Sequence, residues 1–288
     1  MQHSVQLAEH SAALADSQIH WVEAGQGDIL ILIHGSLCDY RYWRWQMPAF
    51  ANHFRVIAPS LPGCWPSPVG AEAPNEADAE EKKRLVLADK RYGMEQHVQA
   101  IVALSERIAH GRTVHLLGHS RGAQVALEAA LALNGQAGRL VLADPGFTFR
   151  GEPPAMPVHV PIAEKLGHAP LDEVIQEFVD TVNGPDTWRR TVPWFKEMVR
   201  ANAWTLLPQL KDLQRSIDPA SLDALSRPLL LVGGEQSPAR YGNRIARLME
   251  LIPGAQHLVV PRAAHGMNLA NARHFNEQVL SFLLGEAL

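Results

Sequence analysis

The chain has 288 residues, 47% of them hydrophobic and 19% charged, which is long enough to bury a large apolar core and too apolar for a mostly disordered chain. Lys+Arg 26 against Asp+Glu 30 leaves a formal charge of −4, which gives no support to a polyphosphate or nucleic-acid partner. Two cysteines, Cys38 and Cys64, cannot make a disulfide framework or a zinc site, no apolar run reaches the length of a membrane span, and the opening residues carry His3 and Glu9 rather than a signal-peptide core. These features together predict a soluble, cytoplasmic protein with no metal site and no membrane partner.

Short apolar runs then alternate with helical periodicity, the pattern of a mostly parallel sheet flanked by helices. Residues 19–23 and 28–33 read as strands parted by the turn Gly25-Gln26-Gly27; the second, Ile-Leu-Ile-Leu-Ile after Asp28, is apolar on both faces, as a central strand should be. A helix is expected over 42–50, a strand over 55–58 ended by Pro59, and a short helix over 76–87 inside a Pro-rich, charged excursion from 59 to 93. Next come a helix over 94–110, a strand over 113–117, a helix over 123–133 and a strand over 139–143. Residues 146–227 hold few strand signals and carry Phe178, Trp188, Trp194, Phe195 and Trp204 on helical stretches. They read as an inserted helical cap whose aromatics form its own core. The alternation returns with a strand at 229–232, a helix at 243–251, a strand at 257–260 and a last helix at 272–284. The domain division is therefore a core of 1–145 and 228–288 and a cap of 146–227.

Gly118-His119-Ser120-Arg121-Gly122 follows an apolar strand and opens a helix. In that setting G-x-S-x-G makes a turn so sharp that the serine hydroxyl projects, and the helix N-terminus offers N–H groups to a developing oxyanion. A second N–H must come from the loop after an earlier strand. Ser36 or Leu37, in His34-Gly35-Ser36-Leu37, would supply it beside the N–H of Arg121. A serine hydroxyl needs a base, and His265, in a loop between the strand at 257–260 and the last helix, is placed for that role. The base needs an acid. The turn after the 229–232 strand, Gly233-Gly234-Glu235-Gln236-Ser237-Pro238, has Ser237 where an aspartate is expected. Two carboxylates remain, Asp144 at the end of the 139–143 strand and Glu235 in the turn itself, with Asp144 keeping the order Ser…Asp…His. The Arg121 side chain either grips a carboxylate or other polar group of the substrate or forms a buried or partly buried ion pair, for which Asp144 and Glu235 are candidate partners. Gly35 and Cys38, beside the oxyanion loop, complete the candidate substrate contacts.

Together these motifs, with Leu61-Pro62-Gly63, Asp144-Pro145 and Ala264-His265-Gly266, resemble the α/β-hydrolase superfamily over nearly the whole chain. The Gly-His-Ser-Arg-Gly elbow with Asp144-Pro145 and Gly-Glu-Gln-Ser-Pro is similar to a bacterial subgroup in which an acidic residue ends the strand after the nucleophile helix. Some haloalkane dehalogenases and a fungal-mycotoxin lactonase also place their acid there. The resemblance implies an α/β-hydrolase fold and cofactor-free, serine-dependent cleavage of an ester, lactone or related acyl bond in a small-molecule substrate. Carbon–carbon bond hydrolysis, lyase or oxygenase chemistry on the same site, or a ligand receptor that keeps the triad, are the alternatives.

Overall fold

A computed structural model describes residues 6–67, 69, 76–153 and 157–287 of the chain. Its strands are β1 (Ala8–Leu14), β2 (Ser17–Ala24), β3 (Asp28–Ile33), β4 (Phe54–Ser60), β5 (Val114–His119), β6 (Ala137–Ala143), β7 (Leu229–Gly234) and β8 (Gln256–Val260). They form one sheet in the order β1-β2-β4-β3-β5-β6-β7-β8. β2 runs antiparallel to β1 and β4, and every later neighbouring pair is parallel.

β3 shows why the sheet lies at the centre. Leu30 and Leu32 enter the core on one face, with Ile29, Ile31 and Ile33 on the other, all fully buried. Each such side chain contributes about 1.5–3 kcal/mol when withdrawn from water, and only a strand covered on both faces can use five in a row. Helices α3 (Met94–Ala109) and α4 (Arg121–Leu133) cover the isoleucine face. Helices α1 (Gln46–Phe50) and α12 (Ala272–Leu284) cover the leucine face through Phe50, Phe275 and Phe282.

Several expectations needed revision. β1 carries almost no buried side chain, so periodicity could not reveal it; it exists by hydrogen bonding to β2 along the sheet edge. Between the strands at 19–23 and 28–33 the sheet places β4, an order that was not anticipated. Pro59 does not end β4 but sits within it, opposite Trp21. The helix expected over 42–50 is split into a 3-10 turn at Tyr40–Trp43 and α1. The excursion does carry a helix, α2 (Glu76–Ala88), while residues 70–75 lie outside the described set.

Between β6 and β7 the chain forms α5 (His159–Lys165), α6 (Leu171–Asn183), α7 (Thr187–Arg190), α8 (Pro193–Ala201) and α9 (Leu206–Gln209). α10 (Ala239–Leu251) follows β7, and α11 (Met267–Ala270) precedes α12. Among the described residues no helix is long and apolar enough to cross a membrane.

Candidate active site

The C-terminal ends of β3, β5, β6 and β8 converge, the place where sheets of this kind assemble sites. Ser120 joins β5 to α4 with φ 56° and ψ −121°, and its N–H donates to Ala143 O at 2.8 Å. Glycine is required on both sides. A Cβ on Gly118 would lie 2.1 Å from Gly122 O, and one on Gly122 would lie 2.3 Å from both Ile33 O and His34 O. Only hydrogen at these positions lets the turn close this tightly.

His265 is buried, and its Nδ1 lies 2.9 Å from Asp144 Oδ2. The carboxylate accepts that proton, so Nε2 is left as the basic nitrogen. Asp144 follows β6, fully buried, with φ 41° and its N–H donated to Val232 O at 2.8 Å. Ser237, where an aspartate was expected, donates its hydroxyl to the same Oδ2 at 2.6 Å. Burial pushes Asp144 up from the usual carboxylate range, with the Ser237 hydrogen bond opposing it. Burial, helped by the nearby Arg240 charge, holds His265 below the usual imidazole value. Glu235 is exposed and accepts the Arg262 N–H at 2.7 Å, so it is the buried Asp144, and not the alternative Glu235, that meets His265.

The loop after β3 approaches Ser120 closely: a Cβ on Gly35 would lie 3.0 Å from Ser120 Cβ. His34 braces this loop. Its Nε2 accepts the Leu61 N–H at 3.0 Å, and its Nδ1–H therefore donates to Gly35 O at 2.8 Å. Leu37 has φ 63°, and neither its N–H nor that of Arg121 has an acceptor among the described residues. The Ser36 hydroxyl donates to Gln209 Oε1 at 2.8 Å. The Arg121 side chain forms the buried ion pair expected of it, but with Asp212 rather than Asp144 or Glu235. Its Nη2 donates to Asp212 at 2.6 Å, the pair is largely buried, and the guanidinium does not line the cavity.

The sequence model of the α/β-hydrolase family matches residues 30–276. The chain belongs to the α/β-hydrolase family. Among curated relatives it is 24% identical to the 2-hydroxy-6-oxo-6-phenylhexa-2,4-dienoate hydrolase of Burkholderia cepacia, covering 94% of this chain and 92% of that protein. In fold it is similar to carboxylesterase CesB (YbfK) from Bacillus subtilis, with TM-score 0.73, 19% identity, and 99% and 93% of the two chains covered. It is similar too to the enol-lactonase from Burkholderia xenovorans LB400, with TM-score 0.73, 20% identity, and 96% and 100% covered.

In this α/β-hydrolase a cavity of about 520 Å³ opens over Ser120 and His265, and Gly35, Ser36, Leu37 and Cys38 line it. The aromatics of the inserted helices divide. Trp188 is buried core, as expected, and Trp204 packs against that core and over Lys82, whereas Phe178, Trp194 and Phe195 line the cavity. Two site residues escaped the sequence reading. Tyr241, on α10, stacks on the His265 ring at 4.2 Å between centroids and 14° between planes. His119 packs against the same ring at 4.6 Å, and its Nε2–H donates to His265 O at 2.8 Å. The position of His119 beside Ser120 was a signal for its place in the site; Tyr241 had none. Among the described residues no cluster of His, Cys, Asp or Glu is arranged to hold a metal ion.

Proposed function

We propose that this chain is a serine hydrolase that cleaves an ester, lactone or related acyl bond of a small to medium, partly apolar substrate. The observation that carries the reading is the His265–Asp144 pair at 2.9 Å, with His265 opening into the cavity that Ser120 also lines. Ser120 Oγ attacks the carbonyl carbon while His265 Nε2 takes its proton. Asp144 fixes the tautomer and stabilises the imidazolium. The N–H groups of Arg121 and of Leu37 or Ser36 receive the oxyanion. As the tetrahedral centre collapses, the imidazolium gives its proton to the departing alkoxide, leaving an acyl-serine. Water, deprotonated by His265, then releases the acid and restores Ser120. The helices of 146–227 form the cap that selects the substrate. The relationship to a dienoate hydrolase supports carbon–carbon bond cleavage on the same residues as the second reading.

The test is hydrolysis of 4-nitrophenyl butyrate by the wild type, Ser120→Ala, Asp144→Asn and Glu235→Gln. Ser120→Ala is expected to lower kcat by about 10⁴-fold or more, and Asp144→Asn by a comparable factor. Glu235→Gln keeps most of the rate. A Ser120→Ala variant as active as the wild type overturns the mechanism, and a Glu235→Gln variant that is inactive while Asp144→Asn is active reverses the acid.

A further inference from the structure

The cavity wall carries a charge imbalance that catalysis does not use. Arg190, at the end of α7, and Arg262, after β8, both line it, and no Asp or Glu does so among the described residues. Neither guanidinium has an ion-pair partner among those residues; Arg190 Nη2 donates only to the Pro185 carbonyl at 2.9 Å. The other arginines near the site are different. Arg121 is neutralised by Asp212, and Arg240, whose charge reaches His265, lies outside the cavity wall.

Arg262 is also held in an uncommon backbone conformation. Its φ is 56°, a left-handed value a side-chain-bearing residue adopts only when its surroundings enforce it. The Glu235 carboxylate accepts the Arg262 N–H at 2.7 Å in that conformation. Glu235 thus holds the Arg262 backbone and makes no ion pair with its exposed guanidinium, on a residue that lines the cavity. The rest of the wall is largely apolar, with Phe178, Val192, Trp194 and Phe195. Low-dielectric walls focus the field of two unneutralised cations into the opening.

We infer that the natural substrate carries a carboxylate remote from its scissile carbonyl, bound at the cavity mouth by Arg262 and Arg190. This deepens the serine-hydrolase reading and rests on it for the chemistry, though not for the binding. A guanidinium offers paired N–H donors that match the two oxygens of a carboxylate, so the site selects half-esters of dicarboxylic acids, or esters with an acidic alcohol, over neutral esters.

Two matched pairs of substrates test it. Mono-4-nitrophenyl adipate against 4-nitrophenyl hexanoate puts the charge on the acyl side, and 4-carboxyphenyl hexanoate against phenyl hexanoate puts it on the alcohol side. In one pair kcat/KM is expected to favour the acid by about tenfold or more, through KM. That ratio should collapse in Arg262→Gln and in Arg190→Gln, survive in part in Arg262→Lys, and shrink as salt is added. Arg112→Gln, at the opposite end of the sheet where Arg112 Nη2 meets Gly27 O, serves as control and keeps the ratio. The binding is read separately by calorimetric titration of monomethyl adipate and dimethyl adipate onto Ser120→Ala. Tighter binding of the half-ester, lost in Arg262→Gln, supports the subsite even if the nucleophile assignment fails. Ratios of one or below in both pairs, ratios unchanged by the arginine variants, or equal affinity for the two adipates overturn it.

Discussion

Asp144 has one carboxylate oxygen, Oδ2, shared by His265 and Ser237, while the other, Oδ1, is buried with no close hydrogen-bond partner among the described residues, the nearby Gly234 N–H favouring the charge only in part. Charge in such a place is costly, so folding raises the Asp144 pKa from its ordinary 3.8 to about 7. A carboxylate whose folded pKa is raised favours folding fully only below its unfolded value, and that contribution is lost as pH climbs from about 4 to about 7. Asp144→Asn keeps an acceptor for the imidazole and removes the charge. It is expected to unfold at higher denaturant than the wild type at pH 8, by roughly 1–3 kcal/mol, with the gain shrinking by pH 5. An Asn variant less stable than the wild type at pH 8 contradicts this. His265 moves the other way. Its basic form persists below the ordinary imidazole value of 6.5, so the acid limb of kcat/KM is expected to follow protonation of Asp144, near pH 7, and a profile still flat at pH 5 contradicts the raised Asp144 value. The elbow serine and the late histidine were legible because each needs a particular turn between particular elements. The acid was legible only as a preference for Asp144, from its place in the order Ser…Asp…His, since Glu235 also follows a strand and the direction of each carboxylate separates the two.

The inserted segment also acts on the elements beneath it. Gln209, at the end of α9, takes the Ser36 hydroxyl at 2.8 Å. Asp212 takes Arg121 Nη2 at 2.6 Å and the Met94 N–H that opens α3 at 3.1 Å to each oxygen. Asn202, after α8, donates to Asp39 at 2.7 Å and accepts the Trp65 N–H at 2.8 Å. These three side chains fasten the loop after β3 and the first residue of α4, which carry the N–H groups assigned to the oxyanion. Asp212→Asn leaves the Arg121 charge without its counter-ion in a largely buried position, which costs about 3 kcal/mol or more when such a pair is broken. The expected result is a lower melting temperature and a loss of kcat that exceeds any rise in KM. Gln209→Leu should show a milder version of the same pattern. A pure KM effect would mean that the insertion touches substrate only. None of this could be read beforehand: Arg121 and Asp212 are 91 residues apart, and no local spacing pairs them.

At the scale of the whole molecule, one apolar cluster runs from the sheet through the insertion, joining Trp43, Val141 and Phe275 to Ile162, Trp188 and Met198. Sheet and insertion therefore lose their packing together, and calorimetry should record one unfolding transition; two well-separated ones would contradict a shared core. The inner strands were legible because both of their faces are apolar. The edge strand β1 and the exchange that sets β4 between β2 and β3 were not, because hydrogen bonding along the sheet leaves no mark on hydropathy. Ser120 and Asp144 follow the ends of neighbouring parallel strands, with Ser120 N–H bound to Ala143 O and Asp144 N–H bound to Val232 O, each at 2.8 Å. Their separation is a property of strand register and does not depend on the length of any connection. The connection between β6 and β7 can therefore change in length without altering that register, provided Gln209 and Asp212 keep their hold on Ser36 and Arg121.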